Sequence, residues 1–455
     1  MRRGRNSRAK TWKAVSWPVL MALILVSILS GFLFSPPVSA TALPLTVGNV
    51  DLSIEDYGVL PPSISWNYIT QTHLVFGSYL AIYHDAYPAG GGGTDIATGY
   101  GAGTGDFTLE EQNVYLQSDT VQETYSSFTQ TGVSGVSNDL RIYQRAFSSK
   151  GEDWVIIMWK LENIYGKDIN DLRVGMSFHT KLDSTSGDDI DNWNAVDSIY
   201  YIEDESSGTT LMGFGSADPA VPLNHYYGSP AGIGGEVDPA DDKSMYEALT
   251  TNKVHGSATD MTCMVGWEVG TLPAGSTIFL PLVIAFGTKY QDVSWAISKA
   301  KGFLVLQLAR LRITEVQDSA STDNVKIEVY NEGEWGVSVS EIYLSPDGFT
   351  AWTSGGWSNS PIMPGEYSVY SLGPGEAFTS TEGGKISLHY STGSIFDSIS
   401  FGQAGSIPDP LRDETASRFW GGANYTEQWT RDPTPTYGSI NDGRGRLDPP
   451  SVVLN

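Results

Sequence analysis

Short segments in which apolar and polar side chains alternate recur along this chain, and they constrain its fold more than any other feature. Residues 140–147 and 172–178 alternate in this way, as expected of strands that bury one face of a sheet. Residues 154–161 (WVIIMWKL) are apolar on both faces, which is typical of a strand covered on both sides. Turns rich in glycine and proline, of which the chain has 50 and 23, separate the segments. The pattern predicts an all-β fold with a large N-terminal β-sandwich.

One stretch breaks this strand pattern and predicts a helix. Apolar residues recur at helical spacing at Val293, Ala296, Ile297 and Ala300. Asp292 precedes them as a candidate N-cap, and the helix is expected to end near residue 308. Strand character returns at residues 311–313, so we expect a first domain over residues 41–309 that ends in this one helix.

The N-terminus has the features of a secretory signal peptide. Six basic residues and no acidic residue precede an apolar run over residues 17–34, and small residues at Val38-Ser39-Ala40 follow it. This predicts that residues 1–40 are a signal peptide cleaved after Ala40, and that the protein is secreted or displayed at the cell surface. The alternative is an uncleaved anchor, which would be the protein's only attachment to a membrane.

The charge of the chain excludes one class of partner. The whole chain has a net charge of −25. Removal of residues 1–40 leaves 21 basic against 52 acidic residues, a net charge of −31. Such a surface repels the phosphates of nucleic acids and anionic lipid headgroups, so we expect no nucleic-acid partner. It suits divalent cations, basic partners or salty surroundings, and the alternative for most of these carboxylates is solubility alone.

Six pieces of sequence after residue 310 occur in an order typical of one family. The most specific are LRITEV at 311–316, KIEVYNEG at 326–333, IMPGEY at 362–367 and DPTPTYGSIN at 432–441. The remaining two are a strand at 337–345 and a pair of strands at 383–390 and 395–402. In these features the chain resembles the lamin-tail domain family. The resemblance implies an immunoglobulin-like β-sandwich over residues 310–441, used as an accessory module, with residues 442–455 as a C-terminal tail.

The region before the helix has a looser resemblance. The pattern Gln144-Arg145-Ala146-Phe147, followed by Asp153-Trp154 and a buried strand up to Asn163, is similar to a large β-sandwich domain of exported prokaryotic proteins. Such a pattern describes a core and assigns no site. The fold expected for the whole chain is therefore all-β, with a large N-terminal β-sandwich, one helix, and a C-terminal immunoglobulin-like β-sandwich.

An acidic stretch at residues 183–194 is the candidate metal site. Its carboxylates are Asp183, Asp188, Asp189 and Asp191, and such hard oxygen ligands suit calcium. An exported protein with a single cysteine, Cys263, has no intrachain disulfide and would gain stability from a metal clamp. The spacing differs from the twelve-residue calcium loop. The alternative is a solvated acidic loop.

The sequence offers no catalytic or cofactor-binding residue. The six histidines show no zinc-ligand spacing, and neither a Gly-x-Ser-x-Gly nor a His-Glu-x-x-His motif is present. We therefore expect a non-catalytic protein with a structural, adhesive or polymer-binding role, whose partner is a surface protein or an extracellular polysaccharide. The alternative is a secreted glycan-active hydrolase with the lamin-tail module as accessory. An enzyme would require a concave pocket with convergent polar groups and acids of perturbed pKa.

Overall fold

The computed structural model describes residues 43–54, 59–60, 64–66, 73–85, 97–98, 107–117, 121–131, 138–182, 188–204, 210–218, 220–230, 237, 242–317, 325–346, 350–376, 383–391, 395–402, 415–421 and 426–432. The predicted signal peptide (residues 1–40) and C-terminal tail (residues 442–455) lie outside these ranges. Within them, no helix is long and apolar enough to span a bilayer.

The first two thirds of the chain form seventeen described strands and two helices. The strands are β1 (Leu43–Leu45), β2 (Val50–Ile54), β3 (Val59–Leu60), β4 (Ile64–Trp66), β5 (His73–Tyr83), β6 (Ala97–Thr98), β7 (Phe107–Gln117), β8 (Val121–Thr131), β9 (Asn138–Ser149), β10 (Trp154–Asn163), β11 (Ile169–Lys181), β12 (Asp189–Asn194), β13 (Ile199–Asp204), β14 (Leu211–Ser216), β15 (His225–Pro230), β16 (Met261–Leu272) and β17 (Thr277–Gly287). The helices are α1 (Asp242–Thr250) and α2 (Tyr290–Ala309).

The described strands after helix α2 belong to a second set of sheets. They are β18 (Leu311–Gln317), β19 (Lys326–Asn331), β20 (Ile342–Ser345), β21 (Gly356–Trp357), β22 (Tyr367–Ser371), β23 (Gly383–Tyr390), β24 (Ile395–Gly402), β25 (Thr415–Gly421) and β26 (Thr426–Asp432). A short 3-10 turn, Val339–Glu341, precedes β20. The all-β prediction is confirmed.

Two antiparallel sheets pack face to face in the N-terminal sandwich. The larger has the order β12-β13-β14-β17-β10-β9-β8-β7, and the smaller has the order β15-β16-β11-β5-β3, with β6 beside β5. Strands β1, β2 and β4 form a small third sheet. The core between the two large sheets contains Trp159, Phe178 and Phe214, and the rings of the last two lie 4.5 Å apart.

Strand β10 is apolar on both faces because each face packs against a different part of the protein. Val155, Ile157 and Trp159 point into the core between the sheets. Ile156 and Met158, on the other face, belong to a second cluster formed with helix α2. Helix α2 therefore forms a layer outside the larger sheet, and strand β10 is buried from both sides.

Helix α2 begins three residues earlier than its sequence pattern predicts. Lys289 is the N-cap residue. Asp292 lies in the first turn, where its carboxylate accepts hydrogen bonds from the Thr288 N–H at 3.2 Å and hydroxyl at 2.8 Å. Asp292 thus reaches back to satisfy groups before the helix. The helix ends at Arg310, which has left-handed backbone angles (φ 46°, ψ 53°).

Helix α1 corrects the prediction of a single helix. It covers the outer face of the smaller sheet, where Met245 and Leu249 pack against Met264. A Cβ at Gly175 on β11 would collide with the Leu249 side chain. The close approach of helix and sheet therefore depends on a glycine at this position.

The strands after helix α2 form a second, smaller sandwich. Its sheets have the orders β21-β22-β19-β18-β25-β26 and β20-β23-β24. The core between them contains Ile313, Leu344 and Ile386, together with Val305 and Ala309 from the end of helix α2. Since helix α2 contributes to the cores on both sides of residue 310, it joins the two sandwiches through packed side chains.

Candidate binding groove at the domain junction

The structure places the predicted calcium ligands in different settings. Asp183 lies outside the described residues. Asp189 and Asp191 lie on strand β12, so the alternative of a solvated acidic loop does not describe this part of the stretch. Both are buried, whereas Ile190 between them is half-buried and Asp188 before them is half-buried. The strand therefore points two of its acids inward.

Asp191 is fully buried, with a relative exposure of 0%. Its carboxylate accepts hydrogen bonds from the Tyr200 hydroxyl at 2.8 Å and from the main-chain N–H groups of His255 at 3.0 Å and Gly256 at 2.8 Å. A Cβ at Gly228 would collide with the Asp191 carboxylate. Asp191 thus fixes the loop over residues 253–260 to the sandwich.

Burial also changes the pKa values of two side chains near Asp191. Burial, with a contribution from Asp191, raises the pKa of the Cys263 thiol. Burial also raises the pKa of Tyr200. Asp189 accepts a hydrogen bond from the Leu182 N–H at 3.4 Å. Among the described residues, no three His, Cys, Asp or Glu side chains are grouped to hold a metal, and the calcium site stays a prediction.

The candidate functional site is a groove of about 610 Å³ where the two sandwiches meet, which we call the junction groove. Ala220 and Phe279 line it from the N-terminal sandwich, and Val305 lines it from helix α2. The C-terminal sandwich contributes Glu334, Trp335, Gly336, Ser338, Ser340, Glu341, Pro361, Met363 and Pro364. Both sandwiches are needed to form this groove, and ligand pockets are common in such positions.

One wall of the junction groove is apolar. The rings of Phe279 on β17 and Trp335 after β19 stack with centroids 5.6 Å apart and planes inclined by 24°. Met363, which is 47% exposed, extends this wall. An aromatic ring that is only partly covered, beside an exposed apolar side chain, leaves surface on which a ligand can pack.

Another part of the groove lining is acidic. Asp218, two residues after β14, is 7% exposed, and its Oδ1 accepts a hydrogen bond from the Ala220 N–H at 2.8 Å. Burial raises the pKa of Asp218, and the carboxylate of Glu341 raises it further, against the opposing effects of the Ala220 N–H and of Lys301. The groove therefore holds a buried acid that binds its proton more tightly than usual.

Two more ionisable groups complete this cluster. Burial lowers the pKa of Lys301 on helix α2, and the charges of Asp197, Asp218 and Glu341 oppose the change. The Tyr390 hydroxyl on β23 donates a hydrogen bond to Glu341 Oε1 at 3.3 Å, and burial raises the pKa of Tyr390. Groups from both sandwiches and the helix between them thus converge on the acidic side.

Sequence reasoning missed the junction groove. Its main side chains, Asp218, Phe279, Trp335 and Glu341, lie far apart in the chain and belong to no motif. They meet only because the two sandwiches pack against each other. The one available signal is Trp335, a tryptophan between turn residues rather than within a strand pattern.

No family model and no curated protein matches this chain. Solved structures show distant similarity. A putative aldose 1-epimerase from Escherichia coli K12 is 12% identical, with 55% of this chain and 100% of that chain covered and a TM-score of 0.33. A putative aldose 1-epimerase from Klebsiella pneumoniae is 9% identical, with 57% of this chain and 83% of that chain covered and a TM-score of 0.32. An alpha-galactosidase from Lactobacillus brevis is 8% identical, with 61% of this chain and 43% of that chain covered and a TM-score of 0.27. These similarities assign neither a family nor an activity to the chain.

Proposed function

We propose that this protein is an exported or cell-surface, non-catalytic protein that binds an extracellular polysaccharide in the junction groove. The observation that carries the proposal is the pairing of an aromatic wall with carboxylates and hydroxyls in one groove of about 610 Å³. A sugar ring has an apolar face of C–H groups and an edge of hydroxyls. The two sides of the junction groove complement these two surfaces.

The polar groups of the groove set the kind of sugar. Glu334 and Glu341 supply acceptors, and the Ser338 and Ser340 hydroxyls supply donors or acceptors. The described lining includes no Lys or Arg. Since the chain as a whole is also acidic, an acidic polysaccharide would be repelled. The groove therefore favours neutral or amino-bearing sugars.

Two expectations from the sequence belong to the same proposal. The predicted signal peptide would bring the protein to a compartment where polysaccharides are found. A C-terminal module of the lamin-tail type would act as the accessory domain that completes the groove. Neither expectation is needed for the contacts within the groove itself.

A glycan-active hydrolase is the second candidate, because one observation favours it. Burial and the charge of Glu341 raise the pKa of Asp218, and both side chains line the junction groove. A carboxyl group of raised pKa paired with a second carboxylate is the arrangement by which glycosidases protonate the leaving group. In this reading Asp218 is the general acid and Glu341 the base or nucleophile.

One experiment tests both candidates. The exported form would be run through gels containing a neutral β-glucan, chitosan or polygalacturonate, and each polymer would then be assayed for new reducing ends. We expect retardation by the glucan or chitosan, none by polygalacturonate, and no new reducing ends. Release of reducing ends that Asp218→Asn and Glu341→Gln abolish would establish the hydrolase. Retardation by none of the polymers would contradict both candidates.

A further inference from the structure

A second cavity, of about 230 Å³, opens where helix α2 begins. We call it the α2 pocket. Trp295 on the helix borders it and is 64% exposed, although a tryptophan in a soluble protein is usually highly buried. Glu152 and Asp153, in the turn before β10, lie across the pocket from the helix. The α2 pocket is separate from the junction groove and shares no lining residue with it.

The chain's own lysine occupies a cation site in this pocket. The Lys299 ammonium lies 3.8 Å from the centroid of the Trp295 ring and 2.9 Å from Glu152 Oε2. It therefore contacts an aromatic face and a carboxylate at once, which are the two surfaces that attract an ammonium group. The Lys299 side chain is 35% exposed, so it has a path to solvent.

The pocket remains negative with Lys299 in place. Asp153 accepts hydrogen bonds from Asn49 and Trp66, each at 2.9 Å. Asp292 accepts the hydrogen bonds from Thr288 described above. The donors to Asp153 are neutral, whereas Asp292 also lies 3.9 Å from the Lys289 ammonium, whose side chain is 65% exposed. The three lining carboxylates therefore outnumber the two ammonium groups beside them, Lys299 and Lys289.

We propose that the α2 pocket binds a lysine side chain of a basic partner protein, and that Lys299 is the internal occupant that the incoming lysine replaces. The ligand's ammonium would take the place of Lys299 Nζ over Trp295 and beside Glu152. The net charge of −25 would speed the encounter with a basic surface. This inference does not depend on polysaccharide binding in the junction groove.

A neutral sugar fits the α2 pocket less well than a cation does. A sugar would need a bare tryptophan face, but the Trp295 face is already matched to an ammonium. The polar group that contacts the occupant is a carboxylate, that of Glu152. Because the Lys299 ammonium occupies the pocket, we expect the ligand to carry an ammonium group as well.

The test measures the affinity of the full exported chain for acetyl-Gly-Lys-Gly-amide, with the norleucine analogue as the uncharged control ligand. In Lys299→Ala the internal competitor is gone, and we expect an affinity for the lysine peptide about three- to tenfold higher than in the parent. Lys253→Ala is the matched control, because it removes an ammonium 5.0 Å from the Tyr227 ring elsewhere on the molecule. We expect it to change the affinity by less than about twofold.

Two further variants assign the gain to the pocket. Adding Trp295→Ala or Glu152→Gln to Lys299→Ala should return the affinity to the parent value or below. Lys299→Gln is the alternative variant if Lys299→Ala lowers the melting temperature. The proposal is overturned if the norleucine peptide binds equally well, if Lys253→Ala gives the same gain, or if cellohexaose binds the pocket in place of the lysine peptide.

Discussion

The interior of the N-terminal sandwich and the domain junction each bury a carboxylate, but they surround it differently. Asp191 in the sandwich accepts three hydrogen bonds of 2.8–3.0 Å from a hydroxyl and two main-chain N–H groups. Asp218 at the junction accepts the Ala220 N–H and faces the like charge of Glu341. The first setting matches the charge of the carboxylate with donors, whereas the second makes the charge costly.

This difference separates a structural role from a binding role. A buried carboxylate with matched donors holds a loop in place, and the three donors to Asp191 use most of its roughly four acceptor positions. A carboxylate that borders a cavity and faces another carboxylate gains when a ligand donates hydrogen bonds to it. We therefore assign Asp191 to the fold and Asp218 to the junction groove.

The largest expected effect is on stability. Asp191→Ala would leave the Tyr200 hydroxyl and the two main-chain N–H groups without their acceptor. We expect a loss of about 3 kcal/mol or more in the free energy of unfolding. Urea denaturation of the parent, Asp191→Ala and Asp218→Ala would measure it, with the last variant as the control that should lose much less. Equal losses would show that the two carboxylates do not differ as described.

A second prediction concerns calcium and the other acids near Asp191. If calcium binds Asp183, Asp188 and Asp189, it stabilises the folded state by about 2.7 kcal/mol at a hundred times its dissociation constant. The melting temperature should then rise by several degrees, and chelator should reverse the rise. Because Asp191 is committed to main-chain donors, the double variant Asp188→Asn, Asp189→Asn should remove the response. An unchanged melting temperature with calcium would leave this stretch as an acidic face without a metal.

A third, smaller effect is the pH dependence that Asp218 confers. Its pKa in the folded protein is raised above 3.8, so the folded state binds this proton more tightly than the unfolded chain. The resulting stabilisation is present at acidic pH and is lost as the pH rises through the folded-state pKa. Asp218→Asn should therefore show a smaller fall in unfolding free energy between about pH 4 and neutrality. Asp168→Asn, at an exposed carboxylate, is the charge-matched control and should follow the parent curve.

The regular parts of the fold were predictable because they rest on local periodicity. Alternation indicated the strands, and the spacing of Val293 and Ala296 indicated helix α2. Helix α1 was missed because it is nine residues long and depends on packing against Gly175 and Met264, which lie elsewhere in the chain. Helices this short have little stability of their own.

The sites were less predictable than the fold because they depend on contacts between segments that lie far apart in the chain. Asp191 stands in a stretch of acids that suggests a loop, and only its three donors from other segments show that it is an interior residue of a strand. The junction groove joins side chains that no spacing rule connects. A site that exists only where two sandwiches meet leaves no periodic signal in the sequence.

The central claim, that the two sandwiches jointly form a polysaccharide site, is tested most directly by filling the junction groove from each side. Ala220 and Ser340 are exposed residues that line the groove from the N-terminal and the C-terminal sandwich, respectively, so Ala220→Trp and Ser340→Trp should obstruct the groove without disturbing a core. Calorimetric titration with cellohexaose and with chitosan hexamer would compare each variant with the parent. We predict that each variant loses at least about tenfold in affinity for the oligosaccharide that the parent binds, at an unchanged melting temperature. Parent-like affinity in either variant would contradict a binding site at the junction.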